Sequence, residues 1–399
     1  MSENMIVTIA KAVIKGKLGI GKLTGKERFM LAQLSTPDRV PTMLLATNVD
    51  PKCIDKKFNY VMLNKDIKAN LDLFGRICDR IQCDQVMAPG WKGFMDNGSA
   101  ELGTVFKVQE DLVPYPVDYP IKEKADIQKI EIPEEASGHL KMYIDLVIEA
   151  QKRYPNMLIN ANLDGPWDLS ILLRGDQQFI NDLLIHKKFY ETDDPVLKEK
   201  IKKRGDPDMY PAIMELSTQL AIRLFELLKQ NTGSLMGTMM IDQYAAEPIM
   251  SRADFVKYVL PYIERVWRHH KKRLMLNYPC SSPQKMKQIL ENEPPGVAHQ
   301  IGWSNYIFAT TPEGNTLPEY DRPAFELAKK YKKNFLYIVH GKFLKDASEQ
   351  ELEENLKRVL GLATDIGVSL ALGITSVPTG TDFNKVNFVF NMAEKYGRY

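Results

Sequence analysis

The residues of this chain best suited to chemistry stand at or near the ends of short apolar runs. Asn48 follows "VPTMLLAT", Asp84 lies inside "IQCDQVMAP", Asn162 and Asp164 close "NMLINANLDGP", and Asp242 with Tyr244 ends "LMGTMMIDQY". Further along come Asn277 and Cys280 in "RLMLNYPC", His299 in "GVAHQIGW", His340 in "NFLYIVHG", and Thr375 with Ser376 in "VSLALGITSVP". A carboxylate within an apolar run is costly unless it is paired or faces a functional opening, which makes Asp84 and Asp242 candidates for catalysis. Each also reads as half of a structural ion pair. His340 suits acid–base work, metal ligation or a plain polar cap. Cys280 offers a thiolate nucleophile or metal ligand, or else a small residue in a turn. Asp164, just ahead of "GPW", either orients its turn or meets a ligand. Asn48, Asn162, Asp164, Trp167, Tyr244, Asn277, His299 and Thr375 make up the candidate substrate contacts. His269 and His270 fall in a basic helical turn and are expected at the surface.

The elements that must position these residues follow from the same runs. Each is apolar on consecutive positions, as in parallel strands buried on both faces. Eight such runs alternate with helical patterns, which predicts an α/β chain folded as a (β/α)8 barrel, with reactive groups at the C-terminal strand ends. A helix is expected from Ser251, with Asp254 in capping-box spacing, and another from Ser348 with Glu351, ending at Gly367. The connection over residues 90–155 is too long for a simple crossover. Its alternation and prolines predict a β-hairpin insertion at about 90–135. Residues 194–211 read as a charged helix over solvent. Residues 1–26 read as an N-terminal helical arm and 27–399 as the barrel.

Composition narrows the function classes. The chain has 399 residues, 44% hydrophobic and 26% charged, which suits a globular protein with a large core. A formal net charge of +2 provides no field for nucleic acid or an anionic membrane, so a small-molecule substrate is expected. The four cysteines, Cys53, Cys78, Cys83 and Cys280, form neither a disulfide framework nor a CxxC pair, which points to a reducing cytoplasm. Lysines interrupt the apolar start before it reaches the length of a membrane span. No glycine-rich nucleotide loop, HExxH or GxSxG motif is present.

Several stretches together resemble the uroporphyrinogen decarboxylase superfamily, which holds haem-pathway decarboxylases and cobamide-dependent methyltransferases. They are "ERFMLAQLSTPDRVPTML" at the start, "CDQVMAPG" at the second strand, "LDGPWDLSILLRG" at the third and "IMSRADFVKYVLPYIERV" after the fourth. "HGKFLKDASEQELEENLKRVL" and "VPTGTDFNKVNFVFNMAEKYGRY" complete the set, so the resemblance spans residues 27–399. It implies a barrel with its cleft at the C-terminal strand ends and makes a homodimer an expectation. For the decarboxylases it implies cofactor-free chemistry on a tetrapyrrole gripped by arginines near the first strand, with an Asp at the second strand, matched by Asp84, on the pyrrole N–H groups.

The departures from that pattern are specific. "MLLATNVD" puts Ala46 and Asp50 near the arginine places, apolar residues replace the expected Tyr in "LSILLRG", and the expected His falls on or beside Ile374. An octacarboxylate would forfeit several charge-assisted hydrogen bonds of about 1.5–3 kcal/mol each. The methyltransferases use a thiol-activating zinc held by His-x-Cys after the fifth strand and Cys after the eighth. Here Asn277 takes the His place, Cys280 is offset and the eighth strand has no Cys, so the standard zinc site is absent from the sequence pattern. Cys280 and His340 are the residues left to take a metal. The resulting expectation is a corrinoid-linked methyltransferase acting on a small substrate, the corrinoid carried by a partner protein, with Asp84, Asp242 and His340 catalytic. A decarboxylase-like lyase on a less anionic substrate and a non-catalytic binding protein are the alternatives.

Overall fold

In the computed structural model the described residues are 22–32, 37–45, 49–88, 98–233, 238–242, 250–270, 275–277, 286–287, 290–291, 300–303, 318–332, 334–374 and 376–398. The strands in chain order are β1 (Thr42–Leu45), β2 (Gln85–Met87), β3 (Val105–Lys107), β4 (Tyr115–Asp118), β5 (Leu158–Asn160), β6 (Asn162–Asp164), β7 (Met239–Ile241), β8 (Met275–Asn277), β9 (Gln300–Trp303), β10 (Asn334–Val339) and β11 (Leu370–Ile374). Every one of the eight apolar runs contains a strand. One sheet has the order β5-β2-β1-β11-β10-β9 and another β6-β7-β8. All of their ladders are parallel. Only Ala161 separates β5 from β6, so the two sheets follow on from each other through the run Leu158–Asp164. β8 and β9, the ends of the combined order, lie side by side, without a ladder between them among the described residues.

Consecutive apolar residues serve two cores. Met43, Met87, Leu158, Leu336, Ile338 and Ala371 form one cluster with Phe29, while Leu44, Val86, Ile159, Phe335, Tyr337 and Val339 belong to a larger cluster that includes the helices. The alternation along β10, from Phe335 to Val339, is the period of two that a strand imposes. Gln85 shares the parity of Met87 and is fully buried, with neither side-chain amide atom hydrogen-bonded. Ile374 falls in the larger, helix-containing cluster. It is therefore a packing residue, and its replacement of a reactive side chain says little about the strand mouth.

Several local expectations are met. The helix Glu349–Ile366 opens on a reciprocal Ser348–Glu351 capping box and closes at Gly367 in the left-handed region. Ser251 and Asp254 pair as expected, although the helix then passes through a π turn, Phe255–Val259, before Leu260–His269. Asp194 caps the helix Pro195–Lys202. β3 and β4 pair antiparallel in the long connection after β2. No helix among the described residues is long and apolar enough to cross a membrane. His270, expected at the surface, is instead buried against Phe225, and burial pulls its pKa down to about 4. The chain turns inward at His270, the residue that caps this helix, while His269 stays exposed.

Asp84 does not stand at a C-terminal strand end. It immediately precedes β2, at the N-terminal edge of the sheet, and is only 2% exposed. Its carboxylate takes ion pairs from Arg28 and Arg39 and, at 2.8 Å, the backbone N–H of Thr42. Arg28 also holds Asp38, and its helix Gly25–Ala32 bonds through Lys26 N–H to Asn156 O and through Ala32 O to the Ser369 hydroxyl. The helix thus spans the residues that lead into β2, β5 and β11. This placement corrects the catalytic reading of Asp84, whose oxygens are occupied by structure. Removing one partner of a buried pair leaves an uncompensated charge, so Asp84→Asn should cost about 3–5 kcal/mol of stability. Urea denaturation measures it, and a loss below about 1 kcal/mol would contradict the assignment.

Candidate functional site

At the opposite edge, Asp242 follows β7 directly. Its Oδ1 accepts the backbone N–H groups of Trp167 (2.9 Å) and Asp168 (3.0 Å). These N–H groups open the helix Pro166–Arg174, whose N-cap, Gly165, makes no side-chain cap bond. The cap is supplied from the next strand instead. A Cβ on Gly165 would overlap Asp242 Oδ2, so glycine is what lets the carboxyl approach. Asp164 ends β6, in register with Ile241, the residue before Asp242.

The charge state of Asp242 follows from competing forces. Burial pushes its pKa well above the usual carboxylate range, and the charge of Asp164 pushes the same way. The two N–H groups oppose this and lose. Because Oδ1 accepts both, the proton belongs on Oδ2, which is buried and has no hydrogen-bond partner among the described residues. Burial and the neighbouring Asp164 thus both favour the protonated form of Asp242.

A second group of polar residues gathers where β10, β11 and β1 end. His340 caps the helix Gly341–Asp346, its Nδ1 accepting the Lys342 N–H at 3.2 Å. That assigns the ring proton to Nε2. Burial, then Lys342, holds the pKa of His340 below its ordinary value, favouring the neutral ring. A Cβ on Gly341 would overlap the Ser376 hydroxyl, which brings the β10 end against the loop after β11. That loop is fastened to the one after β1 by a Val49–Val377 bridge and by the Asp50 N–H bond to Val377 O at 3.0 Å. Cys53 donates to Pro378 O from the same loop, and burial pushes its thiol pKa up.

Other candidates have different places. The Trp167 indole is fully buried and packs edge-on to Phe179, with Tyr210 beside them, so its side chain is core and only its backbone N–H serves the site. Asn162 is engaged by Tyr143, whose hydroxyl lies 2.9 Å from the Asn162 N and 3.2 Å from its Oδ1. Asn277 closes β8 by its backbone. Asn48, Tyr244, Cys280, His299 and Thr375 lie outside the described residues. Sequence reasoning missed Gly165 and Gly341. The "GP" at a strand-to-helix junction was a signal for the first, since proline opens helices and a preceding glycine leaves the cap vacant.

The proton on Asp242 has a consequence for stability. A carboxyl whose folded pKa is raised contributes stability that is whole below its unfolded pKa of about 4 and is lost as pH rises through the folded value. Asp242→Asn removes that loss. In denaturation midpoints measured from about pH 4 to about pH 9, the parent should fall relative to Asp242→Asn as pH rises, whereas parallel curves would show that Asp242 is ionised throughout.

Comparison with known proteins gives this geometry a family. The sequence profile of uroporphyrinogen decarboxylase (URO-D) matches residues 98–396. Among solved structures, a methyltransferase from Methanosarcina mazei superposes with a TM-score of 0.70 at 13% identity, covering 94% of this chain and 99% of that one. A GH138 enzyme targeting pectin rhamnogalacturonan II gives a TM-score of 0.42 at 8% identity, covering 90% of this chain and 38% of that one. No curated protein matches by sequence. With the profile spanning most of the chain and the likeness in fold running nearly end to end, the chain belongs to the uroporphyrinogen decarboxylase family.

Proposed function

We propose that this chain is a corrinoid-linked methyltransferase acting on a small substrate at the C-terminal strand ends of a closed (β/α)8 barrel. The parallel order supports closure, the β8–β9 seam being the one junction without a ladder among the described residues. The observation that carries the reaction is the composition of the strand ends. The described residues that end or directly follow the strands at this edge, among them Ala88, Asp164, Asp242, Asn277, Trp303 and His340, include no lysine or arginine, although Lys342 follows two residues after His340. A polycarboxylate gains its affinity from such cations, so this site suits a neutral ligand better. The fold is one that the Methanosarcina mazei methyltransferase also uses.

The family implies two groups, a zinc ion and a corrinoid. A thiol-activating zinc does not fit the described residues, which hold no group of three or more His, Cys, Asp or Glu able to ligate an ion. A corrinoid brought by a partner protein would supply the nucleophile that takes the methyl group. The chain itself would bind the substrate and hold a proton at Asp242 Oδ2 for the group left behind.

A decarboxylase-like lyase is the second reading, since a neutral Asp242 could instead protonate the carbon left by departing CO2. One assay separates the two. The purified chain is incubated with reduced free cobalamin and a panel of methylated small molecules, and cobalamin absorbance is followed. CO2 release from a porphyrinogen polycarboxylate is measured in parallel. Methyl-dependent loss of reduced cobalamin without CO2 release is expected; CO2 release without methyl transfer would overturn the proposal.

A further inference from the structure

We infer that the side-chain amide of Gln85 is a binding site for a buried water molecule among the inner strand residues, whatever reaction the strand ends carry. Gln85 is fully buried, and neither its Oε1 nor its Nε2 has a hydrogen-bond partner among the described residues. The ladders set it between Met43 on β1 and Leu158 on β5, and Met87 follows two residues along the same strand. In-register neighbours on parallel strands share a face, so the amide stands with the side chains that cluster around Phe29. Phe29 belongs to the helix Gly25–Ala32, which lies close against the start of β2, since a Cβ on Gly25 would overlap Asp84 Cα. Those walls are apolar. They offer an amide no partner better than a thioether sulfur.

The amide itself selects the ligand. Its oxygen accepts and its nitrogen donates, and a buried group of this kind is costly to leave unpaired, so folded proteins pair nearly all of them with protein or with water. The strand backbone beside it is engaged, because β2 is laddered to β1 on one side and to β5 on the other, and the Gln85 carbonyl also takes the Cys83 thiol. The polar side chains that precede it and its neighbour, Asp84 and Thr42, are bonded to each other and, through Asp84, to Arg28 and Arg39. A metal cation would satisfy the oxygen alone and an anion the nitrogen alone, and either would carry charge into apolar surroundings. A small neutral molecule that both donates and accepts serves both atoms. Water is the smallest, and at the edge of the amide it accepts from Nε2 while donating to Oε1. Buried waters typically make about three hydrogen bonds, of which this one side chain supplies two.

A crystal structure of the full chain, at a resolution that shows ordered solvent, reads the site directly. A solvent peak within about 3 Å of both Gln85 Oε1 and Gln85 Nε2 is expected. In solution, oxygen-17 magnetic relaxation dispersion detects long-lived internal waters. Gln85→Met keeps the reach of the side chain and removes the amide, so the variant should lack a long-lived water that the parent holds. No peak at the amide, or protein groups bonded to both of its atoms, would overturn the inference. A peak on one atom alone, with the ligand distances of a metal cation or the contacts of an anion, would overturn it too, as would equal relaxation dispersion in parent and variant. Should Gln85→Met fail to fold, the crystal structure of the parent decides by itself.

Discussion

The architecture depends on one buried carboxylate. Asp84 draws Arg28, Arg39 and the Thr42 N–H onto itself and so joins the first described helix, the entry to β1 and the entry to β2. In that helix, Phe29 reaches the inner strand cluster, and the helix ends bond to the residues leading into β5 and β11. A charge in this setting is tolerable only because two guanidiniums and an amide surround it. The consequence is directional. With Asp84 occupied at the N-terminal edge of the sheet, the remaining candidate polar residues lie where the strands end.

At that edge the electrostatics reverse. Asp242 is partly buried where Asp84 is fully so, and among the described residues it receives no cation, only two amide hydrogens from a helix start. The helix dipole favours the anion by an amount typically of about 0.3–1 kcal/mol, up to about 2 kcal/mol in partly buried geometries. Desolvation of a buried carboxylate outweighs that. Gly165 sets the balance as well, since any side chain there would push the carboxyl out of its place.

Much of the fold was legible in the sequence because burial on both faces of a parallel strand forces apolar residues onto consecutive positions. The eight runs announced themselves for that reason, and the Ser348–Glu351 cap did so through side-chain chemistry that is local. The site was less legible because its decisive quantities are not local. "CDQVM" and "MMID" both place an aspartate against an apolar run, and hydropathy cannot say which edge of the sheet each one meets. The ladders do: Asp84 comes before β2, Asp242 after β7. Parity also decided Ile374, which shares the helix-facing side with Leu370 and Leu372, while an aromatic cluster claimed Trp167. Arg28 and Arg39, which fix the role of Asp84, lie 56 and 45 residues from it along the chain, beyond the reach of any local pattern.

The missing arginines near β1 and the neutral state of Asp242 are two sides of one electrostatic condition. A guanidinium about 10 Å from the carboxyl, at an effective dielectric of about 20, would favour its ionised form by about 1.7 kcal/mol, more than one pKa unit. Several such groups, as a tetrapyrrole clamp requires, would return Asp242 to an ordinary carboxylate. A strand mouth can therefore be built to grip polyanions or to hold a neutral acid at this position, but the two demands oppose each other. Here Asp50, bonded to Val377, follows the β1 end, and the pKa of Asp242 is raised. The absence of such cations is thus one condition for the raised pKa of Asp242.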